Sequence, residues 1–312
     1  MLATPAELAD LERRVGHALD GRDPQLPVLG HGEITLVLGC PAEHPRCVAK
    51  RLPPFEDPAR AESYGALVSE YVEALGRRGV ECVDTEYHVV EASRSGSSTV
   101  GRASGGDTGW AAYVVQPLLP PSEVGPEALR RRDAADGSGE SVRDLLAGVV
   151  DSILGATDEH VGLDGQLSNW ADTPDGLRYF DVTTPLLNDS TGETRLDLKL
   201  LTSTLPAPLA PVVRRFAAPS ILAHYHSPRA VLVDLAANLH KERLGQWVGA
   251  VLVAANRHLG VPITPSEVAA YYRRDARTWE LMLRMRMADR WFHRRVLHRR
   301  YGTLLPPNTE RW

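Results

Sequence analysis

The chain has 312 residues, of which 43% are apolar and 24% charged, with a net charge of −5. These values are typical of a folded globular protein and exclude the disordered and collagen-like classes. Three cysteines, an odd number, argue against a disulfide scaffold. No apolar run is long enough to span a membrane, and residues 3–19 predict an amphipathic helix, not a signal peptide. We therefore expect a reduced, cytoplasmic protein.

The first local signal along the chain is a pair of glycines between apolar runs. Residues 28–38 read VLGHGEITLVL, with Gly30 and Gly32 at the turn. Glycine has no Cβ, so backbone N–H groups in such a turn can approach a phosphate group closely. The start of an ordinary hairpin has the same appearance, and this alternative stays open.

A short strand is predicted next, over residues 47–52, CVAKRL. Small and apolar residues surround Lys50, so we expect its ammonium to point into a cleft on one face of the sheet. A solvated lysine on an edge strand is the alternative. Residues 58–78 then carry apolar side chains at close to helical period, between Pro58 and Gly79. They predict a helix.

Two more strand-like runs follow, YHVVEA and WAAYVVQPL. The Gly/Ser-rich residues 93–108 between them predict a hairpin with a long connection. A polar crossover begins near residue 120, and residues 142–157 predict a helix. Beyond residue 190 the pattern is predominantly helical.

Oxygen-bearing side chains concentrate in the stretch GLDGQLSNWADTPDGLRYFDVTTP. Asp164 is followed five residues later by Asn169, and Asp181 comes twelve residues after that. The turn TPDG predicts a hairpin with LRYFDV as its second strand, so Asn169 and Asp181 are expected on neighbouring segments. They could share one hard cation, while Asp164 could orient or deprotonate a hydroxyl group. Such groups equip a phosphoryl-transfer site, although Asp and Asn also crowd into turns.

This order of glycine turn, VAK strand, glutamate-bearing helix, further strands, crossover, D-x-x-x-x-N and later Asp resembles the protein-kinase-like fold. It is similar to the bacterial small-molecule kinases of the aminoglycoside and choline phosphotransferase type, by motif from residue 28 to about 190. The resemblance implies an α+β, bilobal fold with a small β-rich N-lobe at 1–119 and a larger, mainly helical C-lobe at 120–312. It also implies an ATP- and Mg²⁺-dependent phosphotransferase that acts on a small-molecule hydroxyl group.

The resemblance further implies a nucleotide site. Gly30, Gly32 and Lys50 would bind the phosphates, and Gln116 would lie at the start of the segment that passes the adenine. Glu70, twenty residues after Lys50, would pair with the lysine ammonium, although other glutamates of the same helix compete for that role.

On the catalytic side, the resemblance makes Asp164 the base and makes Asn169 and Asp181 the Mg²⁺ ligands. The family's catalytic loop usually has a histidine and a glycine directly before the Asp, whereas this chain has Gly162 and Leu163 there. The metal-binding Asp is usually followed by Phe-Gly or Trp, which this chain lacks. A degenerate pseudokinase that acts as a partner protein, or a kinase fold used for nucleotidyl transfer or an ATP-independent reaction, are the alternatives.

Arginine is concentrated at the end of the chain. Residues 271–312 hold eleven arginines against four acids, which leaves −12 for the first 270 residues. This pattern fits a nucleic-acid or anionic-lipid surface, but the arginines alternate with packing residues, which favours a helix with one solvated face. Nucleic acid is therefore not an expected partner, and an anionic substrate, such as a phosphorylated or carrier-bound compound, is the intermediate alternative. The stretch CPAEHPRC has metal-like spacing but lacks the fourth ligand of a structural zinc site.

Overall fold

The computed structural model describes residues 1–22, 25–32, 34–92, 109–203, 205, 209–296 and 304. In these residues the chain is a mixed α+β protein with one five-stranded and one two-stranded antiparallel sheet, which confirms the predicted α+β class. The strands are β1 Val28–His31, β2 Leu36–Cys40, β3 Cys47–Arg51, β4 Glu86–Glu91, β5 Trp110–Pro117, β6 Trp170–Thr173 and β7 Gly176–Tyr179. The helices are α1 Pro5–Leu19, α2 Pro58–Arg77, α3 Gly125–Ala135, α4 Glu140–Ala156, α5 Leu198–Thr202, α6 Ala210–Val212, α7 Ala218–Tyr225, α8 Pro228–Lys241, α9 Val248–Asn256 and α10 Pro265–Arg295. The connection predicted at 93–108 lies outside the described residues.

Strand β3 lies at the centre of the large sheet, whose order is β1-β2-β3-β5-β4. Lys50 on this strand pairs with Val37 of β2 and Val114 of β5. Successive strand residues point to opposite faces of a sheet, so Lys50 lies on the face opposite to its neighbour Arg51. Its side chain is buried, with 7% of the residue exposed. The alternative of a solvated edge-strand lysine is therefore wrong.

Helix α1 covers one face of the large sheet. Pro5 occupies its first turn, and Thr4 and Glu7 form a capping box in which each side chain satisfies a backbone N–H of the other. The apolar stripe of the helix packs on alternate residues of β2, β3 and β5, which form a core of their own. The N-terminal amphipathic helix predicted from the sequence is confirmed.

A buried ion pair lies inside this interface. The Arg51 guanidinium donates two hydrogen bonds to the Glu12 carboxylate (2.7 and 2.9 Å), and the Tyr113 hydroxyl donates a third (2.6 Å). All three side chains are nearly inaccessible to solvent. The carboxylate thus keeps its hydrogen bonds in a place that water does not reach, which is the condition for burying a charge without a large penalty.

Helix α2 covers the opposite face of the sheet and has the predicted bounds. It begins after Asp57, whose carboxylate accepts a hydrogen bond from the backbone N–H of Ala59. It ends before Gly79, whose φ of +81° is readily adopted only by glycine. The buried side of α2 belongs to the main core, together with residues of α4, α8 and α9.

Two tyrosines of α2 attach the helix to loops in the second half of the chain. The Tyr64 hydroxyl donates to the carbonyl of Thr183 (2.9 Å), and the Tyr71 hydroxyl donates to the carbonyl of Gly162 (2.9 Å). Both rings are buried, so these carbonyl groups have no access to water as an alternative partner. The two loops that carry the predicted catalytic carboxylates are therefore held against the same helix.

The two-stranded sheet is the predicted hairpin, with its turn at residues 173–176. Strand β7 ends at Tyr179, however, so the prediction that Asp181 lies within the strand is wrong. The N–H of Phe180 still donates to the carbonyl of Asn169 (3.0 Å). After that bond the backbone leaves the hairpin, and the side chain of Val182 enters the main core. Asp181 thus stands on a connecting segment beyond the sheet.

The remainder of the chain is helical where it is described, as predicted from its periodicity. Helices α8 and α9 are apolar on the sides that pack on α4, whereas the long α10 contacts α8 with its N-terminal part and exposes much of its length. Within the described residues, no helix has the combined length and apolarity that crossing a bilayer requires.

Removal of one partner from the buried pair between α1 and β3 should destabilise the protein strongly. We expect Glu12→Ala to lower the free energy of unfolding by about 3–5 kcal/mol, because it leaves the buried Arg51 charge without a partner. Glu73→Ala is the matched control, since Glu73 and Arg77 form an exposed pair on α2, and it should cost less than about 1 kcal/mol. Urea denaturation measures both values. Equal losses in the two variants would contradict the role given to Glu12.

Candidate functional site

A cavity of about 140 Å³ lies where the two halves of the described chain meet. Gly32, Ile34 and Thr35 line it from the turn between β1 and β2. Asp164 and Asp181 line it from the loop before β6 and the segment after β7. The rest of the wall comes from α5, α7, α10 and the segments next to them. The cavity therefore brings the turn after β1 together with segments that follow it by more than a hundred residues in the sequence.

Hydrogen bonds to its backbone fix the loop that carries Asp164. The Asp164 carbonyl accepts from the side-chain amide of Asn169 (3.2 Å) and from the Tyr179 hydroxyl (3.2 Å). The Asp164 carboxylate accepts from the backbone N–H of Gln166 (3.2 Å). The protein's own hydrogen bonds thus hold the loop in place, and a fixed catalytic group lowers the entropy cost of bringing reactants together.

Helix α8 supports this loop through polar side chains on its buried side. The Asn238 amide oxygen accepts from the N–H of Leu167 (3.1 Å), and its nitrogen donates to the side-chain oxygen of Gln166 (3.1 Å). Gln166 also hydrogen-bonds Asp234, one helical turn earlier on α8. Burial, with the nearby Asp275 carboxylate, raises the pKa of Asp234 to about 6.

Lys50 reaches the segment that carries Asp181. Its ammonium donates to the carbonyl of Phe180 (2.6 Å), lies 5.0 Å from the centre of the Phe180 ring and stands 3.9 Å from Asp181 Oδ1. Burial lowers the pKa of Lys50, and the Asp181 carboxylate acts in the opposite direction. The same oxygen of Asp181 accepts from the Thr183 hydroxyl (2.9 Å). A buried cation thus lies beside a carboxylate at the edge of the cavity.

Two side chains of this region carry oxygen atoms that suit Mg²⁺. Asp181 offers a carboxylate at the cavity, and Asn169, whose nitrogen donates to the Asp164 carbonyl, has an amide oxygen to offer from the layer behind it. Mg²⁺ prefers hard oxygen ligands and keeps several waters, so one or two protein ligands are enough. In the described part of the chain, no three or more His, Cys, Asp and Glu side chains are grouped so as to hold a metal. The donor set fits a cation shared with a substrate, not an all-protein metal site.

Glu70 does not pair with Lys50, and this prediction is corrected. The Glu70 carboxylate accepts two hydrogen bonds from the Arg195 guanidinium (2.5 and 2.8 Å) on the outer side of α2. These bonds hold the pKa of Glu70 below its usual value. The helical period explains the difference: positions 64, 67, 68, 71 and 75 form the buried face of α2, and position 70 falls outside it.

The other predicted nucleotide-binding residues have different positions. Gly32 lines the cavity, and its N–H donates to the Thr35 carbonyl across the turn (2.9 Å). A Cβ at Gly32 would lie 2.3 Å from the Thr35 hydroxyl oxygen, so a larger residue there would force the Thr35 side chain to move. Gly30 belongs to β1 and does not line the cavity. Gln116 is buried in β5, where its side chain donates to Thr85 (3.1 Å).

Of the predicted residues, the structure thus brings Gly32, Asp164 and Asp181 to the cavity, with Lys50 and Asn169 in the layer behind them.

The comparison with protein families covers nearly all of this architecture. A family model matches residues 10–290, from within α1 to near the end of α10. The chain belongs to DUF6206, a family of unknown function. A comparison with curated proteins finds no match. Every residue of the candidate site lies in the part that matches the DUF6206 model, whose description states no reaction.

Sequence reasoning missed several residues of this DUF6206 site. Asp234 and Asn238 are separated by four positions in the otherwise apolar run AVLVDLAANL, which places two polar groups on one buried face. That spacing is a usable signal, because buried polar groups need partners. Arg286 and Trp279, by contrast, line the cavity from α10 without any local pattern that distinguishes them from their neighbours.

The raised pKa of Asp234 predicts a pH-dependent stability. A folded pKa of about 6, against 3.8 for an ordinary aspartate, means that the native state keeps a proton that the unfolded chain releases. Stability is therefore lost as the pH rises through this interval. We expect the free energy of unfolding of Asp234→Asn to rise by about 3 kcal/mol relative to that of the wild type between pH 3.5 and pH 7.5. Urea denaturation across this pH range tests it, and a constant difference between the two proteins would refute it.

Proposed function

We propose that the protein is an ATP- and Mg²⁺-dependent phosphotransferase that phosphorylates the hydroxyl group of a small molecule. One observation carries the proposal: Asp164 and Asp181 line one cavity with the glycine turn, and the buried Lys50 ammonium stands 3.9 Å from Asp181. A base, a cation ligand and a fixed positive charge are the groups that phosphoryl transfer requires.

The fold proposed with this function is bilobal and protein-kinase-like, with the cavity between an N-lobe (1–119) and a C-lobe (120–312). The first half of the described chain has a five-stranded antiparallel sheet with helix α2 against it, and the second half is mainly helical. This arrangement supports the proposed fold. The strand that carries Lys50 faces the connecting segment after β7 that carries Asp181. Because ATP is an intracellular substrate, the proposal also implies a cytoplasmic location.

In the proposed reaction the acceptor oxygen attacks the γ-phosphorus of ATP. A new P–O bond forms to the acceptor, the bond between the γ-phosphorus and the β–γ bridging oxygen breaks, and ADP leaves. Asp164 receives the hydroxyl proton. Lys50 offsets negative charge on the phosphate oxygens. Asp181 and Asn169 would hold Mg²⁺, which when bound neutralises charge on the phosphates.

A second candidate is a protein that binds a nucleotide without transferring phosphate. The observation in its favour is that Glu70 pairs with Arg195 and not with Lys50, whose ammonium donates to the Phe180 carbonyl. A phosphate would have to compete with that carbonyl. Nucleotide binding without turnover in the presence of acceptor alcohols would favour this candidate over the enzyme.

Calorimetric titration with ATP and Mg²⁺ tests the metal–nucleotide site. We expect micromolar binding by the wild type, and at least tenfold weaker binding by Asp181→Asn, because the variant lacks the charge that attracts the cation. Asp175→Asn makes the same change of charge on the exposed turn of the hairpin and is the matched control. Absence of binding at millimolar ATP, or equal affinity in both variants, would refute the proposal.

Because α8 supports the Asp164 loop, two substitutions that cost similar stability should differ in their effect on activity. Asn238→Ala removes two hydrogen bonds beneath the loop, and Asn256→Ala removes two that Asn256 makes with Ile263 away from the cavity. Each change should cost about 1–3 kcal/mol of stability. We expect only Asn238→Ala to reduce phosphate transfer, by tenfold or more, because only it loosens the Asp164 loop.

ADP release at saturating ATP, with unfolding measured in parallel, compares these two variants. Equal losses of activity at equal losses of stability would show that Asn238 has a structural role and does not position the loop.

A further inference from the structure

The lining of the cavity has two chemically different parts. Asp164 and Asp181 form the polar end, next to the Lys50 ammonium. An apolar wall comes from α5, α7, α10 and the segments next to them, with aliphatic and sulfur-containing side chains and an indole ring: Leu201, Leu205, Ile221, Leu222, Met282 and Trp279. A ligand whose reactive oxygen meets Asp164 would therefore place the rest of its body against apolar surface.

The charges of the cavity disfavour a cationic ligand. Among its described lining residues, the charged side chains are Asp164, Asp181 and Arg286. The proposed reaction uses both carboxylates at the polar end, so the apolar wall has none to pair with an ammonium group. Arg286 adds a positive charge on the α10 side. Transfer of an unpaired ammonium into such a place is costly.

The size of the cavity indicates which apolar group it can surround. Its volume is about 140 Å³, and an apolar cavity of about 150 Å³ accepts a benzene molecule. A single six-membered ring or a branched group of similar size therefore fills it.

We infer that the acceptor is a neutral alcohol whose hydroxyl group is attached to an apolar group of about the size of one ring. The inference rests on the proposed function for the transfer step, in which the hydroxyl oxygen of this alcohol attacks the γ-phosphorus and its proton goes to Asp164. Recognition itself rests on the cavity, since the apolar wall removes the ring from water and the carboxylate accepts a hydrogen bond from the hydroxyl group.

Calorimetric titration with defined probes tests the inference. The probes are 2-phenylethanol and cyclohexylmethanol, which match the cavity, and choline and kanamycin, which carry charge. We expect the two ring alcohols to bind at least tenfold more tightly than choline or kanamycin. Tighter binding of either cation would overturn the inference.

Two variants connect binding to the cavity. Leu222→Trp fills the apolar wall and should weaken the binding of 2-phenylethanol at least tenfold, while Val253→Trp, on the exposed side of α9, should leave it unchanged. Met282→Ala enlarges the same wall and should shift preference from 2-phenylethanol to the longer alcohol geraniol by at least threefold. If Leu222→Trp does not fold, the Met282→Ala result decides. An unchanged preference in that variant would overturn the inference.

A titration with ATP and Mg²⁺ on the same samples distinguishes the two levels of the argument. Binding of ring alcohols without binding of the nucleotide would support the cavity assignment and refute the phosphotransferase. The opposite result is that the nucleotide binds but no ring alcohol binds, whether or not the nucleotide is present. That result would overturn the inference on the acceptor and leave the phosphotransferase standing.

Discussion

A buried ammonium group needs oxygen atoms close to it, and in this chain Lys50 finds them 130 residues away. The carbonyl of Phe180 and the carboxylate of Asp181 take the place of water around it. That requirement attaches the central strand of the large sheet to the segment beyond the hairpin. The Tyr64 and Tyr71 hydroxyl groups strengthen the same junction with bonds to buried carbonyl groups. The cavity exists where it does because these polar contacts hold its two sides together.

The loop that carries Asp164 shows how an apolar helix can position a polar site. Helix α8 is almost wholly buried, yet it places Asp234 and Asn238 one turn apart beneath the loop. The hydrogen bonds of Asn238 to Leu167 and Gln166 fix its side chain, and they fix the loop above it as well. This arrangement has a cost at Asp234. Burial raises the pKa of its carboxyl group, which therefore keeps its proton to a higher pH than an exposed aspartate does. The proposed chemistry depends on this support as much as on the carboxylate that lines the cavity.

The family match covers the fold and the site but states no reaction, so chemistry has to come from the cavity itself. A polar end beside a buried lysine favours phosphoryl transfer, and the apolar wall favours a neutral acceptor. The replacement of the expected lysine–glutamate pair by Lys50 with Phe180 and Asp181 distinguishes this site from the arrangement that the motif order implies. Whether the Lys50 ammonium leaves the Phe180 carbonyl to bind a phosphate is therefore the central question for both candidate functions.

Local patterns were enough for helix α2, with its cap at Asp57 and its end before Gly79, and for the hairpin around residues 173–176. They also singled out Asp164 and Asp181, because residue type and spacing carry that information within a short stretch. The partner of Glu70, the end of β7 before Asp181 and the apolar wall of the cavity were decided only by the tertiary structure. Each depends on which distant surface packs against a given side chain, and periodicity along the chain states that a face is buried but not what buries it.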